Sequence, residues 1–294
     1  MIAVSGSRGL VGSALLKDLS GVEVLRLARP GGGDGGAVHW DPEGGSFDAA
    51  RLEGCDGVVH LAGEPIAARR WSAAQKEKIR KSRVEGTRLL VEGLRRLTTK
   101  PRALVSASAV GYYGDRSDEV LVETSTPGDD FLAGVAQAWE AEALRAAAEG
   151  IRVVVLRFGV VLAREGGALK KMLLPFRMGA GGRLGGGQQW MSWIHIGDLV
   201  RIIRLALSDQ RLSGPVNAVS PGPARNADFA RTLGHVLRRP AVLPAPPFMM
   251  RLALGEMADA LLLSSQRAVP RVLLGHGFVH RFPHLEGALR DLLA

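Results

Sequence analysis

Apolar residues in the first two-thirds of the chain fall into two alternating patterns. Short runs rich in Val, Ile and Leu cover residues 2–5, 22–27, 57–61, 102–107 and 151–158, and runs of this kind predict buried β-strands. Between them, helical patterning covers 10–19, 72–97 and 129–149, predicting amphipathic helices. The third of these is rich in Ala and Glu and meets Gly150, a natural C-terminal stop. Strands alternating with helices predict an α/β fold with a doubly wound parallel sheet. Glycine-rich stretches at 31–36 and 179–187 predict loops. The Pro-rich stretch 240–247 predicts a linker into a final helical region, roughly 248–294.

Composition narrows the class. The 294 residues, 46% hydrophobic and 23% charged, suit one large α/β domain with a smaller appended region. No apolar run is long enough to span a bilayer, so no membrane partner is expected. Met1 leads straight into the first strand without a basic region or cleavage site, so a secretory leader is not expected. Cys55 is the only cysteine, which excludes an internal disulfide and suits a reducing, cytoplasmic setting. The net charge of +9 is spread along the chain, and its densest cluster, 69–102, is interrupted by Glu77, Glu85 and Glu92. That pattern reads first as a solvated helix face and second as a field attracting a phosphorylated ligand. A nucleic-acid partner is not expected.

One motif changes the picture. Gly6, Ser7, Arg8, Gly9, Leu10, Val11 and Gly12 follow the first strand directly and open the first helix. Glycines at this spacing permit a tight turn and bring backbone N–H groups close to a pyrophosphate at a helix N-terminus. The context of strand, turn and helix is what makes the triplet specific. An NAD site places a carboxylate after the second strand for the ribose 2′-hydroxyl. Here that position reads Ala28-Arg29-Pro30, and Arg29, with Arg8 inside the turn, points instead to a 2′-phosphate and NADP(H). The strand at 57–61 ends in Leu61, Ala62 and Gly63, small enough to let adenine and ribose lie across it. His60, just before them, is expected in the core or at its edge.

The chain resembles a known family at several further points. Leu61-Ala62-Gly63-Glu64-Pro65, Ser108-Ala109-Val110-Gly111-Tyr112-Tyr113-Gly114, Trp139-Glu140, Trp193-Ile194-His195-Ile196-Gly197-Asp198 and Gln266-Arg267-Ala268-Val269-Pro270 follow the order of extended short-chain dehydrogenases. They are similar to the epimerase family protein group, atypical relatives of nucleotide-sugar epimerases with their own C-terminal extension. The resemblance implies a Rossmann-type fold, NADP(H), and cofactor contacts at Arg29, Leu61, Ala62, Arg83 and Val161. Residues 1–165 completed by 188–220 would form the Rossmann domain. Residues 166–187 and 221–294 would form the smaller C-terminal substrate-side region. The protein is expected as a monomer or homodimer acting on a small molecule.

The usual chemistry of that family is missing. Short-chain dehydrogenases use a Tyr and a Lys four residues later to move a proton while hydride moves. Tyr112 is followed at that distance by Arg116 and Tyr113 by Ser117. Where the resemblance places the dyad, ahead of Trp139-Glu140, the chain has Phe131, Leu132, Val135 and Ala136. Three readings follow. Ser108 with Tyr112 or Tyr113 substitutes as the proton relay of an NADP(H)-dependent oxidoreductase or epimerase; or substrate or water supplies the proton; or the protein is a non-catalytic NADP(H)-binding redox sensor.

Other constellations say less. His276, His280 and His284 recur at helical spacing, but Gly275, Gly277 and Pro283 oppose a helix there and no metal site is expected. Asp198 is expected to cap a helix, and 172–177 with 179–187 to form a lid flanked by Trp190 and Trp193. Ser108 lacks a nucleophile elbow, and no Gly-Lys-Ser/Thr closes the glycine turn as in a Walker loop.

Overall fold

The computed structural model describes residues 1–29 and 36–294; of the glycine loop expected over 31–36, all but Gly36 lies outside the described residues. Among the described residues, the main sheet comprises β1 (Ile2–Ser5), β2 (Val24–Ala28), β3 (Val38–Asp41), β4 (Ser46–Phe47), β5 (Gly57–His60), β6 (Ala103–Ala109), β7 (Arg152–Phe158) and β8 (Gly214–Ala218). Their order is β8-β7-β6-β5-β1-β2-β3-β4. All neighbours are parallel except the β3–β4 hairpin. The chain therefore winds outward from β1 in both directions, and the switch point lies between β1 and β5. Ligands of such sheets bind at that crevice, beyond the carboxyl ends of the strands.

Strand periodicity explains why both faces are covered. Ala3, Val58, Leu104 and Val153 face one way and pack on Leu90, Leu94, Ala143 and Ala146. These come from α2 (Ala73–Arg95), α3 (Phe131–Leu144) and the 3₁₀ turns Arg145–Glu149 that prolong α3. Val4, Val59, Val105 and Val154, one residue on, pack on Leu15, Leu199, Ile202 and Ile203 of α1 (Leu10–Asp18) and α5 (Ile196–Ser208). Near-continuous apolar strands are what burial on both faces requires.

A second core gathers the remaining helices. Leu169, Phe176, Trp193, Phe229, Leu233 and Leu289 cluster, joining α4 (Gly167–Arg177), α6 (Asn226–Leu237) and α8 (Leu285–Leu293). The region expected as helical beyond 248 is broken instead. It holds α7 (Pro247–Leu254), two short turns, a strand at Arg267–Ala268 and one more turn before α8. Gly255 (φ 62°), Pro270 and Gly277 (φ 73°) interrupt the helical path. The Pro-rich stretch is no free linker: Leu243 N donates to Gly181 O at 3.2 Å, and Ala245 N to Arg183 O at 2.9 Å. The glycines expected in a lid let these backbones approach, since a Cβ on Gly182 would lie 1.9 Å from Leu243 O.

Asp198 is not the cap expected of it. His195 caps α5, its Nδ1 accepting from Gly197 N at 3.0 Å. Asp198, fully buried in the first turn, accepts from Arg281 N (2.9 Å) and Phe282 N (2.8 Å) and pairs with Arg201 (2.8 Å). It pins the C-terminal segment to the Rossmann layer. No described helix is long and apolar enough to cross a membrane.

Asp198→Ala orphans two backbone donors, which should lower the unfolding free energy by about 2–4 kcal/mol. Urea unfolding measures this, and amide exchange should accelerate first at Arg281 and Phe282.

Candidate functional site

The turn after β1 leaves no room for side chains at two of its three glycines. Gly6 sits at φ 68°, and a Cβ there would lie 2.7 Å from Leu61 C and 2.8 Å from Ala62 N. On Gly12 a Cβ would come within 2.3 Å of Gly6 O. Gly9 is different, because its Cβ would meet only Gly6 O, at 3.2 Å. Gly9 is the N-cap of α1, with no side-chain cap and no acid in the first turn. The helix thus offers its first N–H groups and the positive end of its dipole to an anion.

A cleft of about 340 Å³ opens beside this turn. Gly6, Gly9, Leu10, Val11 and Gly12 form one side, with Leu61 from the end of β5. Arg83 of α2, Ser108 of β6 and Val161 border it too. The facing stripe of α3 is Leu132, Val135, Ala136 and Trp139, so the helix that would carry a Tyr/Lys dyad presents only apolar groups and an indole.

The edges of the cleft are held by buried polar contacts. Ser5 Oγ accepts from Leu61 N (3.2 Å) and Ala62 N (3.3 Å). It also bonds His60 Nδ1 at 2.7 Å, while His60 Nε2 meets Thr87 Oγ1 at 3.0 Å. His60 therefore ties β1 and β5 to α2 as a core residue, and burial pushes its pKa down to about 4. Arg83 donates to Glu64 O (2.9 Å) and Ile79 O (3.3 Å). Its guanidinium lies 5.1 Å from the Trp139 ring centroid. Burial lowers its pKa to about 10, which leaves it cationic at neutral pH. A Cβ on Gly63 would approach it to 3.1 Å.

Behind the cleft lies a buried ion pair. Arg157 grips Glu140 with two bonds of 2.8 Å, and both residues are almost wholly buried. Ser108 Oγ donates to Glu140 Oε1 at 2.6 Å. Arg157 also donates to Tyr113 Oη (3.0 Å) and Glu123 O (3.1 Å). Tyr113 in turn donates to Asn217 Oδ1 at 2.7 Å. Such a bidentate, fully bonded pair is the form in which a buried charge is tolerated.

Ser108 thus reaches the cleft, but Tyr113 does not. Its side chain is fully buried, and burial pushes the phenol up to about 12. Tyr112 lies flat on the Arg157 guanidinium, 3.5 Å from the ring centroid to Cζ, and does not line the cleft either. The expected pairing of Ser108 with a phenol at one substrate oxygen is not what the chain builds. The tyrosines serve the ion pair. Of the residues expected around a cofactor, Gly6, Gly9, Leu10, Val11, Gly12, Leu61, Arg83 and Val161 line the cleft. Ser7 and Ala62 adjoin those residues in the chain, Gly63 follows Ala62, and Arg8 is exposed on the turn. Arg29 follows β2, is largely exposed, and pairs with Glu43 at 3.4 Å.

The outlying candidates have other duties. Trp193 is fully buried, its indole donating to Gly222 O at 2.8 Å. Trp190 lies against the guanidiniums of both Arg225 and Arg267. His280 bonds Val219 O at 2.9 Å. Among the described residues no group of His, Cys, Asp and Glu forms a metal-binding cluster. Glu140 and Arg157 were missed as partners, although the signal was there: Glu140 stands on the buried side of the Ala-rich α3, two residues before the partnered Glu142, and Arg157 is the lone charge inside Val-Val-Val-Leu-Arg-Phe. A charge in a buried run requires a partner.

The doubly wound sheet, with a glycine turn and a cleft at its switch point, defines a Rossmann-type α/β protein. The chain belongs to the NAD dependent epimerase/dehydratase family, whose model matches residues 2–219. Residues 245–292 match a domain of unknown function, DUF1731. An epimerase family protein of Mycobacterium tuberculosis is 42% identical over 280 residues, 95% of this chain and 92% of that one. The crystal structure of human epimerase family protein SDR39U1 with NADPH is 38% identical, with a TM-score of 0.91 over 99% of this chain and 98% of that one. A nucleoside-diphosphate sugar epimerase structure from Corynebacterium glutamicum is also 38% identical, with a TM-score of 0.82; the match covers 99% of this chain and 57% of that one.

His60 gives the site a pH signature. The unfolded chain takes a proton near pH 6.5, whereas folded His60 takes one only near pH 4. The unfolded state therefore binds more protons between those values, and stability falls as pH falls through that window. Between pH 6.5 and 5 the loss should reach about 2 kcal/mol. Burial lowers the pKa of His195 and His280 as well, so urea titrations should show stability falling with pH in both proteins, with wild type losing about 2 kcal/mol more than His60→Gln.

Proposed function

We propose that the chain binds NADP(H) in this cleft and acts as an NADP(H)-dependent oxidoreductase or epimerase of the atypical short-chain dehydrogenase type. The observation that carries the reading is the glycine cradle. Packing forbids side chains at Gly6 and Gly12, while Gly9 stands at the open, uncapped end of α1. That arrangement fits a pyrophosphate, and the human relative was crystallised with NADPH. Residues 6–12 would hold the pyrophosphate, and Arg8 and Arg29 the 2′-phosphate. Leu61, Ala62 and Gly63 would flank the adenosine, with Arg83 and Val161 along the cleft. Residues 1–165 and 188–220 would form this cofactor half, and 166–187 with 221–294 the substrate side.

Bound NADPH supplies a hydride. The proton is the harder part. Ser108 spends its one proton on Glu140, whose carboxylate is held by Arg157. Its oxygen therefore faces the cleft as an acceptor, suited to orienting a ligand hydroxyl or amide rather than protonating a carbonyl. Substrate or water then supplies the proton to a reduced carbonyl. The apolar face of α3, Leu132, Val135 and Ala136, favours a second reading, in which the cleft binds NADP(H) as a redox sensor without turnover.

Calorimetric titration with NADPH and NADH tests the binding. Gly9→Val should abolish both while the fold persists, since its side chain enters the cradle. Arg29→Asp should weaken NADPH about tenfold or more and leave NADH nearly unchanged, because it removes one phosphate partner. Equal losses for both nucleotides would remove Arg29 from the phosphate site. NADPH oxidation against a panel of carbonyl compounds separates the two readings. An enzyme should lose about tenfold or more in kcat on Ser108→Ala with NADPH affinity unchanged, whereas tight binding without turnover supports the sensor.

A further inference from the structure

The surface carries a face that neither the cleft nor the cores use. Seven of the twelve exposed large hydrophobic residues among the described residues come from two stretches: Leu174 and Met178, and Val242, Leu243, Phe248, Met249 and Leu252. The stretches adjoin, since Arg239 Nε donates to Arg177 O at 3.1 Å and Leu243 N to Gly181 O at 3.2 Å. Within α7 only Met250 is buried, while Phe248 and Leu252 stand 69% and 78% exposed. Apolar surface concentrated in this way marks an interaction site.

The charge along the two stretches is basic, with carboxylates at their margins: Glu165 and Glu256 directly flank them, and Glu256 pairs with Lys76. Residues 166–183 and 238–255 contain Lys170, Lys171, Arg177, Arg183, Arg238, Arg239 and Arg251, and no Asp or Glu. Arg251 is paired with Asp259 at 2.8 Å. Gly234, His235, Val236, Arg238, Arg239, Pro240 and Arg290 line a cavity of about 500 Å³, which Arg239 joins to Arg177, the residue before Met178, and which Pro240 borders two positions before Val242. Glu286, bonded to Arg290 at 2.9 Å, is the carboxylate beside it. Arg238 takes a left-handed backbone, φ 53°, which is uncommon for a residue with a side chain.

We propose that this face is a peripheral docking surface for an anionic phospholipid membrane. Headgroup phosphates would occupy the cavity of Arg238, Arg239 and Arg290, and Phe248, Met249 and Leu252 would enter the acyl boundary. Protruding apolar side chains beside a basic rim are the pattern of interfacial attachment. A second copy of the chain would set these arginines against their like. An acidic protein would match the charge, but the apolar side chains project from a helix with a single buried residue instead of lining a groove. Such attachment needs no spanning helix, and none is present among the described residues.

The test sediments the full chain with vesicles of phosphatidylcholine alone or with about 30% phosphatidylglycerol, at low salt and near 0.5 M salt. At least tenfold stronger partitioning onto the anionic vesicles is expected, largely lost at high salt. Phe248→Glu with Leu252→Glu should cut partitioning about tenfold, and Arg238→Gln with Arg239→Gln should remove the anionic preference. The melting temperature and NADPH titration of both double variants should match wild type, so a failure here is distinct from a failure of the cofactor reading. Equal or absent binding to the two vesicle types overturns the proposal, as does wild-type binding by both variants. A dimer in analytical ultracentrifugation that Phe248→Glu dissociates, or binding of polyglutamate without vesicles, also overturns it.

Discussion

The cleft depends on how closely three pieces of backbone approach one another. Gly6, Gly12 and the Leu61–Ala62 peptide are packed so tightly that one methyl group at either glycine would overlap main-chain atoms. Because backbone cannot yield as a side chain can, this contact sets where α1 begins relative to β1 and β5. It also aims the uncapped N-terminus of α1 across the ends of the strands. Ser5 and His60 reinforce the arrangement from below, with hydrogen bonds that join both strands to α2. The anion-binding geometry is thus a by-product of close packing that only glycine permits.

The opposite wall is organised by a different constraint. Arg157 and Glu140 are nearly inaccessible to water, and burying them is tolerable only because their donors and acceptors are matched. Ser108, Tyr113, Asn217 and the ring of Tyr112 complete the set. This commitment has a chemical consequence, because groups that satisfy a buried ion pair are not free to exchange protons with a ligand. The helix that bears Glu140 meanwhile turns Leu132, Val135 and Ala136 to the cleft. Where the resemblance places a Tyr/Lys dyad, the wall of the cleft is apolar.

The C-terminal part is fastened to this frame by a short strand pair, core packing and buried polar contacts. Asp198 takes two backbone donors from the segment ahead of α8, and residues 243–245 run beside 181–185 through main-chain bonds. These contacts leave α7 on the outside with its apolar side chains in solvent.

By itself, the sequence determined five of the sheet's eight strands, its first helices and the glycine turn, because those features rest on local periodicity and on residues within a few positions of one another; β3, β4 and β8, short or weakly patterned, became strands only by pairing with the sheet. Small differences at the ends, such as β2 at Val24–Ala28 in place of 22–27, do not alter that. The absence of a Tyr/Lys dyad was equally legible, since it needs only a count along the chain. Tertiary structure alone decided what Tyr112 and Tyr113 do. Their partner Arg157 lies more than forty positions away, and no local pattern distinguishes a phenol in a cleft from one behind it. The same holds for Asp198, which the local pattern placed at the start of a helix but whose carboxylate meets backbone donors over eighty residues distant, while His195 supplies the cap. Local spacing fixes conformation through short-range sterics and hydrogen bonds; which polar groups meet is settled by burial, which forces distant partners together once water is excluded.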